Sequence, residues 1–431
     1  HSLIPTSKVM STLTQPEFVL GLFEAAPATF TSLRQLGEES FYAQGLPALK
    51  SEEYKFTPIA KKLENSITEF SPAEQVTISA EQVKSAVFLG FEGVVLVFSN
   101  GYFIPGLSSK TEGLTIHSLS AEENTPLGSI ADAAKDPFTA LNQATFVDGI
   151  HISIAKKVSI ESPILLLQFH QAKGGQVISP RIWIEAGDFS KATFIDYHIS
   201  LDDAPYFVNK VVEIKGGINA DLTYHSLQQE HNQVIEVSNL VTDIQKDSQF
   251  TSTQITLSGD MVRNNLTLNL LGSNSVGNMY GIYLLNGKTH VDNHTNVDHT
   301  IPHAESNELY KGILADQSRG VFNGKIFVRQ IAQKTNAFQQ NNNILLSEDA
   351  IINTKPQLEI WADDVKCSHG CTVGQLDEEA LFYLQARGID KTTAKGLLLY
   401  AFAGEVLDKI EVDSLRNFIV AQIQERLGSK F

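Results

Sequence analysis

The spacing of hydrophobic and polar positions changes character twice along the chain. Residues from about 11 to 60 read as helical. Pro16 suits a first helical turn, Phe18, Leu22 and Phe23 follow at helical spacing, and Pro27 ends the pattern. A second segment, 30–42, sets Phe30, Leu33, Leu36 and Phe41 roughly on one side. Gly45-Leu46-Pro47 and the stretch 50–58, which closes on Pro58, read as a connector. Between 76 and 116 the period shortens to apolar runs at 86–89 and 94–98, with Asn100-Gly101 as a hairpin-type turn.

From about 145 to 360 the pattern is one of short strands. Runs at 164–169, 181–185, 192–198, 211–214, 222–225, 234–241, 250–257, 266–270, 279–285, 325–328 and 344–346 are punctuated by Gly, Asn and Asp. Alternation is clean in Leu266-Thr267-Leu268-Asn269-Leu270. Such a region admits a sandwich, a barrel or a stacked β-solenoid. Abundant asparagine (Asn264, Asn265, Asn269, Asn274, Asn278, Asn286) favours the solenoid, because Asn tolerates left-handed backbone and stacks in ladders. No strict repeat is visible.

Past Asp377 the period returns to that of helices. Asp377 is placed to cap a helix over 378–387 with Leu381, Tyr383 and Leu384 on its apolar face, ended by Gly388. Asp390 caps the next, whose stripe is Ala394, Leu397, Leu398, Ala401 and Phe402. Asp413 starts a third, with Leu415, Phe418, Ile419, Ile423 and Leu427, closed by Gly428. These stripes must cover the β body or a second protein.

Composition narrows the function. The 431 residues suit two to three domains. With 42% hydrophobic and 19% charged residues the chain is globular rather than disordered. A net charge of −16 argues against a nucleic-acid partner. The only cysteines, Cys367 and Cys371, exclude a disulfide-stapled scaffold. No apolar run is long enough for a membrane helix. The N-terminal stretch has no basic segment followed by an apolar one, so no secretory signal is expected, and Met10 reads as the natural start. The expectation is a soluble, acidic protein of a reducing compartment.

Two clusters carry candidate chemistry. In an extended Lys366-Cys367-Ser368-His369-Gly370-Cys371, the side chains of Cys367, His369 and Cys371 share one face. Thiolate and imidazole are ligands for iron, zinc or Fe–S units. One strand face supplies three donors about 6.6 Å apart, whereas a closed tetrahedral site needs four convergent ones. The segment is therefore at most half a site, and the alternative is a plain strand with buried small thiols. His290, His294, His299 and His303 are spaced by mixed parities, with Asp292 and Asp298 between them, and read as a solvated, turn-rich surface rather than a metal comb. No G-x-S-x-G elbow, Walker loop or dinucleotide fingerprint occurs.

The run from Pro356 through Trp361-Ala362-Asp363-Asp364-Val365-Lys366-Cys367-Ser368-His369-Gly370-Cys371-Thr372 to Gly374, followed by Leu381-Phe382-Tyr383-Leu384 and Arg387-Gly388-Ile389, closely resembles the SufB/SufD family of iron–sulfur cluster assembly proteins. Gly45-Leu46-Pro47 with Lys50, Glu52, Tyr54-Lys55 and Thr57-Pro58 looks like that family's N-terminal signature. His299, Ser306, Lys311, Gly320, Phe322, Asn323-Gly324 and Gln340-Asn341-Asn342 match its β region. Lacking any cysteine before Cys367, the chain resembles the SufD branch more than the SufB branch.

The resemblance implies a mainly β fold, with a right-handed parallel β-helix core flanked by N-terminal helices, a small α/β part and C-terminal helices. The corresponding boundaries are 10–75 (helical), 76–145 (mixed), 146–372 (β-helix) and 373–431 (helical). It implies a non-enzymatic, cytoplasmic scaffold that pairs with SufB, or with itself when isolated. Two copies of the ATPase SufC would dock on C-terminal helices, with Leu397, Leu398, Ala401 and Phe402 as candidates here. No cofactor would be tightly bound by the isolated chain. Iron or a nascent cluster would sit transiently at the SufB contact, on His369 and Cys367. Cys371 departs from the family pattern, so an essential role for it is not expected. Two other readings remain: a SufB-like subunit that carries the cluster itself, and a β-helix polysaccharide lyase or hydrolase. The latter would need Asp202-Asp203 or Asp363-Asp364 as its carboxylates, and adjacent residues on a strand point apart.

Overall fold

The computed structural model describes residues 19–48, 50–67, 70–121, 124–173 and 175–427. Met10, Pro16, Phe18, Gly174, Gly428 and the Leu427 side chain lie outside them. Helices α1 (Leu20–Glu24), α2 (Thr31–Gln44), α3 (Ile59–Ser66) and α4 (Ala80–Ala86) precede β1 (Val94–Ser99), β2 (Tyr102–Phe103), β3 (Leu114–Ser118), α5 (Pro137–Thr145) and β4 (Ile150–Ile154). Asn100 and Gly101 take φ of 50° and 85° in the β1–β2 hairpin, as the Asn-Gly pair predicts.

A parallel β-solenoid of about eight turns follows. One sheet stacks β5 (Ile164–His170), β8 (Lys191–Ser200), β10 (Asp221–Gln228), β12 (Gln249–Thr256), β14 (Val276–Leu285), β16 (Glu305–Leu314), β18 (Asn336–Leu345) and β20 (Lys366–Gly374). The other stacks β7 (Arg181–Ala186), β9 (Tyr206–Gly216), β11 (Val234–Ile244), β13 (Met261–Leu270), β15 (His290–His299), β17 (Arg319–Val328) and β19 (Ile351–Ile360), while the short β6 (Val177–Ile178) also pairs with β9. Antiparallel pairs β1–β2 and β3–β4 finish the N-terminal end.

Register explains why no strict repeat shows in the sequence. Met261 lies beside Ile235, His290 beside Met261, Arg319 beside His290 and Ile351 beside Arg319, so the coils advance by 26, 29, 29 and 32 residues. What repeats is a backbone corner. Lys157, Phe189, Asn219, Asp247, Asn274, His303 and Lys334 all take φ between 54° and 65°. Successive corners are bonded coil to coil, Phe189 N to Ile218 O and Asn219 N to Lys246 O. The expected asparagine ladders exist: Asn265 donates to Asn239 (2.8 Å), Asn264 to Asn293 (3.0 Å) and Asn307 to Asn278 (3.1 Å).

Between the sheets lies the main core, from Leu96 and Leu166 through Phe194, Leu222, Leu268 and Tyr283 to Phe322. The outer face of the β5–β18 sheet is covered by α7 (Lys391–Leu407) and α8 (Asp413–Leu427), where Leu167, Ile195, Leu227 and Ile282 meet Leu399, Ala403, Val406, Leu407, Leu415, Ile419 and Ile423. On the opposite outer face, α3 and α5 lay Leu63, Phe138 and Leu141 on Phe207, Ile235 and Val237.

Local patterning misplaced three features. The buried side of α2 is Arg34, Gly37 and Phe41, while Leu36 is 55% exposed. Gly37 is required there because a Cβ would come within 2.8 Å of Ala144 N on α5. The apolar run 86–89 is not a strand: Ala86 ends α4, whose start carries a Ser79–Gln82 capping box, and 87–89 form the turn after it. In α6 (Glu378–Ala386) Leu381 is buried, but Tyr383 is exposed. The Asp377 and Asp390 caps form as expected, each accepting two backbone N–H bonds.

Two core histidines set an acid limit. His225 has no hydrogen-bond partner on either ring nitrogen, and His299 bonds Ser306 through Nε2 at 2.8 Å. Burial pushes both down to about 4. Each is neutral when folded, and the unfolded chain takes up its proton first. Stability is therefore complete above about pH 6.5 and declines toward pH 4. Urea denaturation is expected to show that His225→Leu removes up to about 3 kcal/mol of this decline. An unchanged pH slope would contradict it.

Candidate functional site

The last strand of the solenoid holds the cysteine segment. β20 pairs with β18 in register Ala337↔Cys367, Gln339↔His369 and Asn341↔Cys371. Ala337, Gln339 and Asn341 are buried between the sheets, so Cys367, His369 and Cys371 share the inward face, as alternation predicts. No described strand pairs with the far edge of β19 or β20. The inward face of this coil is consequently open: His369 and Cys371 are exposed and Cys367 is half-buried against the core. Ile360 and Val373 share the inward parity of these strands as exposed apolar side chains, while the exposed Trp361 stacks on Phe327 of the outer face. Lys366 alternates to the other face, and burial pushes the Cys367 thiol up, so the lysine does not activate it.

Beneath His369 runs an interior stripe of polar side chains, of which sequence reading expected only the asparagine ladder. Gln339 donates to Glu308 at 2.6 Å, and Glu308 accepts from Thr295. Asn264 bonds Asn293, and Gln228 donates to Asn264 at 2.9 Å. Burial pushes Glu308 up to about 7, with Thr295 and Gln339 opposing it. The family-like Gly324 makes room for this stripe, since a Cβ would approach Gln339 Nε2 to 2.2 Å. No linear pattern marks these residues, because the next rung lies 26 to 32 positions away.

The histidine comb is corrected. His290, His294 and His299 lie on β15 and are buried, not on a solvated turn-rich surface. His303 alone falls at a turn, in the corner column. His299 points inward. His290 and His294 face outward but are covered by the 50–58 stretch, which is a docked strap rather than a free connector. Thr57 Oγ1 donates to Asp292 at 2.5 Å and lies 3.2 Å from His290 Nε2. His294 is 2.9 Å from Asp292 and 3.4 Å from Glu53. Arg263 bonds Asp292 at 2.8 Å and stacks 4.2 Å over the Tyr54 ring. Lys325 and Lys355 hold Glu53 and Glu52. Burial works to raise Asp292, but Arg263 and His294 outweigh it and hold the carboxyl below its usual range. The cluster is an anchoring network.

On α7 the buried stripe is Ala394, Leu399, Ala403, Val406 and Leu407, about one position from the expected one. Leu397 and Leu398 are part-exposed and Ala401 is exposed. Phe402 lies under the Lys311 ammonium, 4.5 Å from it, and Lys311 also bonds the Phe402 carbonyl at 2.9 Å and Glu405. The carboxylate pairs proposed for a lyase form no couple: Asp202 caps Ala204 N, and Asp364 pairs with Lys334 beside an exposed Asp363.

The fold is that of a parallel solenoid with helical flanks and a Cys/His strand on its open terminal coil. The chain matches the profile for "SUF system FeS cluster assembly, SufBD core domain" over residues 169–402 and that for "SufBD protein N-terminal region" over 20–166. It belongs to the SufBD family. It is 31% identical to the iron-sulfur cluster assembly protein SufD of Escherichia coli over 94% of this chain and 95% of the relative. An iron-sulfur cluster assembly SufBD family protein of Synechocystis is 31% identical over 86% and 85%. SufD of Bacillus subtilis is 27% identical over 67% and 66%. No described helix is long and apolar enough to cross a membrane.

Glu308 provides a check on the stripe. Its folded-state value lies above the unfolded one, so the stability it contributes is present below about pH 4.5 and lost as pH rises through about 7. Glu308→Gln, with the Gln339 amide turned to present its unpartnered Oε1, is expected to gain about 1–2 kcal/mol over wild type at pH 8 and little at pH 5. Chemical denaturation at the two pH values measures the difference.

Proposed function

We propose that the chain serves iron–sulfur cluster assembly as a non-enzymatic, SufD-type scaffold subunit of the cytoplasm. Its open terminal coil pairs with a SufB-like subunit, or with a second copy when isolated. His369, with Cys367 beside it, contributes part of a ligand set that the partner completes for a transiently held iron or nascent cluster. The carrying observation is the exposure of His369 on the inward face of a coil whose far edge is unpaired. Three donors on one strand cannot close a tetrahedral site, and the exposed apolar Ile360 and Val373 on the same open face suit a protein partner. Cys371 is dispensable in this reading.

A SufC-like ATPase docks on the exposed side of α7, at Leu397, Leu398 and Ala401. Lys311 on β16 grips the same helix through the Phe402 carbonyl and Glu405. Displacement of α7 on ATP binding is thereby delivered to a coil two rungs below β20.

His369→Ala is expected to lower maturation of Fe–S enzymes in cells that depend on this system by at least roughly tenfold. Its unfolding free energy should stay within about 0.5 kcal/mol of wild type, because the imidazole is exposed. Normal maturation by this variant would remove the proposed role.

A further inference from the structure

The N-terminal half of the solenoid interior contains a second concentration of ligand-type side chains, far down the stack from β20. His170 of β5, His198 of β8 and Glu230, just past β10, each offer one donor atom, and the three atoms lie within 4.8 Å of one another. All three side chains are at most 2% exposed. Asp196, Lys210 and Glu236 complete the pocket. Lys210 Nζ is 2.6 Å from Asp196 and 2.9 Å from His198 Nε2. His170 Nδ1 is 2.5 Å from Glu230 Oε1, and Tyr206 and Tyr224 donate to Glu230 and Asp196 at 3.0 and 2.9 Å.

Two features of this pocket are not satisfied by its own residues. The first is charge. Asp196, Glu230 and Glu236 bring three negative charges into a dry interior, where Lys210 is the one fixed cation among them, so neutrality needs two more positive charges. Two protonated imidazoles or one divalent cation supply them equally well. The second feature separates these cases. His170 Nε2, His198 Nδ1, Glu230 Oε2 and both Glu236 oxygens have no hydrogen-bond partner. His198 Nδ1 and Glu236 Oε2 stand 3.4 Å apart, too far for a good bond. Asp196 and Glu236 hold a proton on His198 against its burial, and His170 shares one with Glu230, so a cation binds by replacing these protons and in return engages the carboxylate oxygens that are left idle.

We propose that His170, His198 and Glu230 form a buried site for one divalent transition-metal ion, with Glu236 adjacent as a fourth donor. Two imidazoles and a carboxylate select a borderline ion such as Zn2+, Fe2+ or Co2+ over Mg2+ or Ca2+. Metal–donor bonds of about 2.0–2.1 Å place tetrahedral donors roughly 3.3 Å apart, so the side chains draw inward on binding. Because the site is enclosed, the ion enters while the chain folds and ties β5 to the coils that follow it. This site does not involve His369 or either cysteine, and it stands or falls independently of the scaffold role.

The test is refolding of the full chain from denaturant with Co2+ or Zn2+ present, followed by desalting, metal analysis and visible spectroscopy. The expected result is about one equivalent of retained metal per chain, a Co2+ d–d absorption, and a higher melting temperature than the chelator-treated protein. The signal should survive in the Cys367→Ala/His369→Ala double variant. It should weaken at least roughly tenfold in Glu230→Gln and in His198→Gln. Wild-type chain that refolds to native circular dichroism but retains no metal overturns the proposal. So does a signal lost in the Cys367/His369 variant, or one unchanged in Glu230→Gln. If His198→Gln fails to fold, the wild-type stoichiometry and the Glu230→Gln result still decide.

Discussion

Parallel strand pairing propagates along one axis and does not close on itself, and this constraint governs the molecule. Every coil from β5 to β18 satisfies its backbone by bonding the coils on either side. The N-terminal end is finished by two antiparallel pairs, while the C-terminal end stops with β19 and β20 bonded on one edge. A sheet edge that remains open presents donors and acceptors in a row, which is a template for another chain. The Cys/His strand occupies that edge, so the same feature that leaves the fold incomplete places its ligands at a surface.

The interior is divided accordingly. Most inward side chains are aliphatic and aromatic, and supply the hydrophobic stabilisation. Among them runs a stripe of amides, carboxylates and imidazoles from His170 to His369, a costly arrangement that hydrogen bonds offset only in part. Buried polar groups in such number are poorly explained by stability alone. In a solenoid they are also the groups aligned along the axis, since each rung repeats the inward parity of the one before.

Much of this was legible in the chain, and the gaps have physical causes. Strands at 164–169, 192–198 and 250–257 stood out as short local runs bounded by turn residues, and the Asn-rich composition favoured stacked coils. β15 and β16 were missed because their inward faces carry His299, Asn293, Ser306 and Glu308 instead of aliphatic residues. Cys367, His369 and Cys371 fell on one face as alternation required. Which face, and that it is open, depends on where the stack ends. Helical periodicity found α7 but placed its buried side about 100° off, because Gly396, Ala403 and Gly404 allow close approach without announcing it as large apolar residues do. The cluster of His170, His198 and Glu230 was invisible, since its members are 28 and 32 positions apart and meet only across coils.

The strap at 50–58 changes how such a stack can come apart. A solenoid held by neighbour contacts alone frays coil by coil from its ends. Here a segment from the start of the chain reaches β13 through Tyr54, β15 through Thr57, β17 through Glu53 and β19 through Glu52. Four coils are thereby braced by one short peptide encoded some 200 to 300 residues earlier. Loss of the terminal rungs therefore requires release of the beginning of the polypeptide, and melting becomes a concerted event instead of an unzipping.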